Sequence, residues 1–161
     1  MTLCNAEIIK KIKDLDEQKQ QILTEEAAGC CSDYQRESDL IDLGYDFDKT
    51  RVAVTELNSK IEKFKHILNV ANATVIVPEF EVTIGECLVR MAQLNCEKRV
   101  LEQMSAKPAK TRKTTYGGAV EFTVTNYDID ACKNRLSQTN DTIRALQIAI
   151  DRINLTHTSE V

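Results

Sequence analysis

The chain contains no tryptophan, two prolines and only five glycines in 161 residues. So few breaks in regular structure favour a small number of long elements and exclude a fold of many short strands joined by tight turns. No run approaches the roughly 20 apolar residues that a membrane-spanning helix needs. The opening "MTLCNAEIIKKIKDLDEQ" mixes lysines with its apolar residues and lacks the continuous apolar core of a secretory signal, so a cytoplasmic location is expected. Catalytic signatures are equally scarce. There is no glycine-rich phosphate loop, no C-x-x-C and no G-x-S-x-G. The two histidines, His66 and His157, have no cysteine or acid at metal-ligand spacing, and Glu86 and Glu97 lack the Glu-x-x-His pattern of di-metal bundles. No catalytic, cofactor-binding or metal-ligating residue is assigned on this basis, and the chain is read as leaning away from an enzyme.

What is present is ordinary globular material. With 29% charged and 42% hydrophobic residues, the chain fits a single domain spanning 1–161 that can bury a core. A net charge of −4 excludes a surface built as a whole for nucleic acid or anionic lipid; any such contact must be local. Cys87, Cys96 and Cys132 fall within helical patterns, and Cys30 and Cys31 are adjacent, a pair that seldom bridges itself. The six cysteines are therefore read as reduced thiols. The N-x-T triplets at Asn72, Asn140 and Asn154 are chance matches in a cytoplasmic chain.

Periodicity carries the fold. Phe47, Thr50, Val54, Leu57, Ile61, Phe64, Leu68 and Ala71 recur every three and four residues, and so do Ile129, Cys132, Leu136, Thr139, Ile143, Leu146, Ile150 and Ile153. A single shift of 82 residues superposes the two sets and also lays Asn58 on Asn140, Asn72 on Asn154 and Thr74 on Thr156. A second pair of helices matches under a shift of 79: Ile8, Ile12, Leu15, Lys19 and Ile22 against Cys87, Met91, Leu94, Lys98 and Leu101. The expected fold is mainly α, with two long helical hairpins of about 1–78 and 79–161 and a short β element at about 119–125. Four amphipathic stripes are buried most economically in an antiparallel four-helix bundle with coiled-coil-like seams. Thr83-Ile84-Gly85-Glu86 has the form of a capping box opening the third helix, Asp128 or Asn126 can cap the fourth, and Pro78 makes the turn between the halves extended.

The two long connections differ in sign. Gly29 to Asp46 carries Asp33, Glu37, Asp39, Asp42 and Asp46 against Arg36, whereas Ser105 to Asn126 carries Lys107, Lys110, Arg112 and Lys113 with no acid before Glu121. In an up-down-up-down bundle both lie at one end and can attract each other within or between chains. The second connection also holds "AVEFTVT", in which Val120, Phe122 and Val124 alternate with polar residues as in a strand. Two partners are open to it: the first connection, where "DLIDLGY" offers Leu40, Ile41 and Leu43, or the same segment of another subunit. Asp39 and Asp42 are poor strand residues, so the inter-subunit pairing is favoured, with Val120, Phe122 and Val124 as the candidate oligomer interface.

The segments "HILNVANAT", "VTIGECLVRMAQLN" and "AVEFTVTNYDIDACKNRLSQTNDTIRALQIAIDRIN" resemble the septicolysin-like family of small, helical bacterial proteins of mostly uncharacterised function, over about residues 50–156. The resemblance implies an Asn near the end of the second helix, which Asn72 matches, and a Trp after the last Asn, where this chain has Leu155. The family's label implies a cytolysin, but the residues supply no apolar hairpin to insert.

Three functions follow as expectations. The first is a non-enzymatic, self-associating helical protein acting as a scaffold or protein–protein interaction module, with no cofactor. A second is binding of nucleic acid or another anionic ligand by Lys107, Lys110, Arg112 and Lys113 beside Tyr116. The third is an enzyme whose site assembles between subunits.

Overall fold

The computed structural model describes residues 1–40 and 43–161, Asp39 by its backbone alone. It is mainly α, with four long helices and three short antiparallel strand pairs among the described residues. In chain order the elements are β1 (Thr2–Cys4), α1 (Asn5–Gly29), a 3-10 turn at Glu37–Asp39, α2 (Phe47–Thr74), β2 (Ile76–Val77), β3 (Val82–Thr83), α3 (Ile84–Ser105), β4 (Lys110–Thr114), β5 (Val120–Val124), α4 (Ile129–Thr156) and β6 (Thr158–Glu160). The chain divides into two compact units: residues 1–74 with 153–161, and residues 75–152.

In the first unit α1 and α2 run antiparallel. Lys19 Nζ donates to Asn58 Oδ1 at 3.4 Å, and nearer the connection Tyr45 and Arg51 both reach Glu26. Ile8, Leu57, Ile61, Ala71 and Ile153 are buried here with Leu3. β6 pairs with β1, Leu3 opposite Ser159, so the strand after α4 joins the strand before α1. The Asn5 amide donates to the His157 carbonyl at the mouth of this ribbon, and its buried side chain donates to Asn154 Oδ1 at 3.3 Å.

The second unit follows the same plan. Glu97 on α3 pairs with Arg135 on α4 at 2.8 Å, and Glu79 pairs with Arg152, so these helices also run antiparallel. Ile84, Cys87, Cys132, Thr139, Leu146, Ala149 and Ile150 are buried. The expected capping box forms at the start of α3: Thr83 Oγ1 accepts from the Glu86 amide at 3.2 Å, and Glu86 returns the bond by accepting from the Thr83 amide at 2.8 Å. Accepting from the Thr83 amide, and then from the Thr83 hydroxyl, holds the Glu86 carboxyl below its ordinary range. Asp128, rather than Asn126, caps α4, its Oδ1 accepting from the amides of Asp130 and Ala131. Pro78 begins the turn joining β2 to β3. The Phe80 amide closes on the Val77 carbonyl at 3.1 Å, and Glu81 takes a left-handed φ of 56°.

The repeat extends to elements that periodicity alone did not reveal. Under the shifts of 79 and 82, β1 and β6 map onto β3 and β2, and the bond from Asn5 to His157 maps onto the bond from Ile84 to Val75. "YDFD" at 45–48 maps onto "YDID" at 127–130. In both copies the tyrosine hydroxyl reaches back to the preceding helix, Tyr45 to Glu26 and Tyr127 to the Met104 carbonyl, while the next aspartate caps the helix that follows.

Candidate functional site

The halves diverge most in their long connections, and the second connection forms a β-ribbon where two β partners had been expected from elsewhere. β5 pairs with β4, Lys110–Thr114, inside the same connection. The partner within the chain is thus a segment that neither expected pairing named, and the other edge of β5 carries no strand among the described residues; of the first connection's segment, Ile41 and Asp42 lie outside the described residues. The physical reason is contact order. Val120 needs a loop of only three residues, Tyr116–Gly118, to return the chain on itself, and Gly118 supplies the left-handed φ of 79° that such a loop uses. "KTRKT" is not legible as a strand because its alternating positions are cationic and hydroxylated rather than apolar. The readable signal was "TTYGG" between two runs containing β-branched residues.

Register decides what the ribbon displays. The Thr115 amide bonds to the Ala119 carbonyl and the Thr125 amide to the Ala109 carbonyl, so by antiparallel alternation Thr111↔Thr123 and Lys113↔Glu121 are also hydrogen-bonded pairs. Lys110↔Val124, Arg112↔Phe122 and Thr114↔Val120 are then the non-hydrogen-bonded pairs, with side chains close together and N–H groups directed away from the ribbon. One face thus combines Val120, Phe122 and Val124 with Lys110 and Arg112. Phe122 is 56% exposed, and the Lys110 ammonium stands 4.3 Å from the centre of its ring. Lys113 belongs to the other face, opposite Glu121, and Lys107 precedes the ribbon, its amide bonded to the Met104 carbonyl. Tyr116 stands fully exposed at the tip. Of the four candidate cations, two therefore share a face with the candidate interface residues.

The first connection organises differently. Tyr45 donates to Glu26 at 2.7 Å, Arg51 pairs with the same carboxylate, and the Arg51 guanidinium lies 5.7 Å from the Phe47 ring centre. The Glu26 bond, then burial, push the Tyr45 hydroxyl up to about 12. A cleft of about 250 Å³ beside this cluster is lined by Ile22, Glu25, Gly29, Leu43 and Asp46 among others. Both histidines, far apart in sequence, line another cleft of about 280 Å³ with Glu160 and Ser159. That juxtaposition was invisible before β6 was placed. Among the described residues no group of three or more His, Cys, Asp or Glu is arranged to hold a metal ion, and no helix is long and apolar enough to cross a membrane.

No family model matches the chain, and no curated protein matches it. The fold is similar to the crystal structure of a functionally unknown conserved protein from Corynebacterium diphtheriae. The TM-score is 0.75 at 12% identity, over 99% of this chain and 100% of that one. At that identity the likeness establishes shared architecture and leaves function to the site.

Proposed function

We propose that this chain is a non-enzymatic interaction protein of the cytoplasm, where six unbridged cysteines stay reduced, and that the β4–β5 ribbon is its working surface. The observation carrying this reading is the exposed row Val120-Phe122-Val124 set beside Lys110 and Arg112 on one ribbon face. A two-stranded ribbon is marginal alone, and an apolar row in water adds nothing to its stability, so a partner that covers the row supplies what the chain lacks. The occupant is a second copy. The end of α1 and the first connection together offer the complementary chemistry: Ile22 and Leu43 are apolar lining of a cleft that carries Glu25 and Asp46 as well as Lys49, with Asp33 and Glu37 close by in sequence. The resemblance to septicolysin-like proteins is retained as part of this proposal, for its helical architecture and not for lysis.

Size-exclusion chromatography with light scattering tests it. The parent is expected to associate at high micromolar concentration, more weakly as salt rises, and Phe122→Glu with Arg112→Glu to run as a monomer. A parent that stays monomeric throughout overturns the proposal. One observation favours a second reading, binding of single-stranded nucleic acid: the stacked Lys110 and Phe122 share the ribbon with an exposed Tyr116. A monomer that captures labelled oligonucleotide, with affinity falling as salt rises, puts that reading first.

A further inference from the structure

Cys30 and Cys31 follow the last turn of α1, both exposed and unbridged, with their sulfurs 3.9 Å apart. Two thiolates on a tetrahedral metal with bonds of about 2.3 Å stand about 3.8 Å from each other, so the pair already has the bite of a chelate. Carbonyls and carboxylates lie close to it in the chain. The helix ends in carbonyls that carry partial negative charge, and no basic residue occupies its last turn. Glu25 and Glu26 line the adjoining cleft with Gly29 and Lys49, Glu26 being paired with Arg51, and Asp33 lies just beyond in sequence. The position is particular to the first half, since a shift of 79 places Ala109 and Lys110 at the equivalent positions.

We propose that Cys30 and Cys31 form a two-sulfur chelate for a thiophilic divalent cation of the zinc and cadmium class, with water or a small thiol completing the coordination. Binding is a ligand exchange without electron transfer: two metal–sulfur bonds form, two S–H bonds break, and both protons pass to solvent. The inference is independent of the ribbon's role.

Cadmium(II) is the probe, added to the reduced, metal-free full chain and followed by thiolate-to-metal charge-transfer absorbance in the ultraviolet, by proton release in weak buffer and by native mass spectrometry. One cadmium per chain is expected, with release of both thiol protons. Cys30→Ser and Cys31→Ser should each weaken binding by roughly tenfold or more, the scale on which loss of a supporting group weakens a metal site, while Cys96→Ser, which alters an exposed thiol elsewhere, leaves it unchanged. Binding that survives Cys31→Ser, that is lost in Cys96→Ser, or that appears only as one metal shared between two chains overturns the chelate.

Discussion

Tyr45 illustrates how much one hydroxyl can decide at the end of a connection. Its bond to Glu26 ties the start of α2 to the end of α1 and holds its proton to about 12, above the ordinary tyrosine value of 10. A group whose folded pKa is raised stabilises the fold fully below its unfolded pKa, so this contribution is intact below pH 10 and disappears as pH rises through about 12. Ultraviolet titration should therefore show one tyrosine ionising near 12 that is missing from Tyr45→Phe. The capping glutamates work with the opposite sign. Glu7 and Glu86 are held below 4.5, mainly by accepting from the backbone amides of Cys4 and Thr83, so their help is present above that value and is lost as pH falls through the lowered pKa. Thr83→Ala, which removes the other half of the α3 box, should cost about 0.5–2 kcal/mol in denaturant unfolding. Leu146 is a stronger test. It is 0% exposed, so Leu146→Ala should cost on the order of 2–5 kcal/mol, and unfolding unchanged from the parent would contradict its place in the core.

Among the elements, the ribbon separates two kinds of backbone position that a strand assignment alone merges. Thr123 belongs to a hydrogen-bonded pair with Thr111, whereas Val124, opposite Lys110, directs its N–H away from the ribbon. Thr123→Pro should therefore break the ladder and speed amide exchange through 110–124. Val124→Pro removes only an outward N–H and should leave that exchange largely intact. Equal effects of the two substitutions would mean that the register is shifted. Helix identity was legible before the structure because the three-and-four spacing of Phe47 to Ala71 and of Ile129 to Ile153 has no alternative explanation at that length. β4 was not legible, since Lys110, Arg112 and Thr114 carry no apolar alternation and acquire a face only from the strand opposite.

Across the whole molecule, the sequence determined the number of helices, their caps and the repeated plan. These depend on interactions three or four residues apart, so they are written in local spacing: the Thr83–Glu86 box, the apolar stripes and the shifts of 79 and 82. Tertiary structure decided which distant groups meet. It joined β6 to β1, so that Asn5 reaches Asn154 and His157, and it brought His66 and His157 to one cleft. It also gave β5 a neighbour within its own connection and left Val120, Phe122 and Val124 exposed beside two cations. The physical reason is that strand pairing satisfies backbone groups whose partner no side-chain pattern names: any segment within reach can close the ladder, and loop-closure entropy selects the nearest that can turn back.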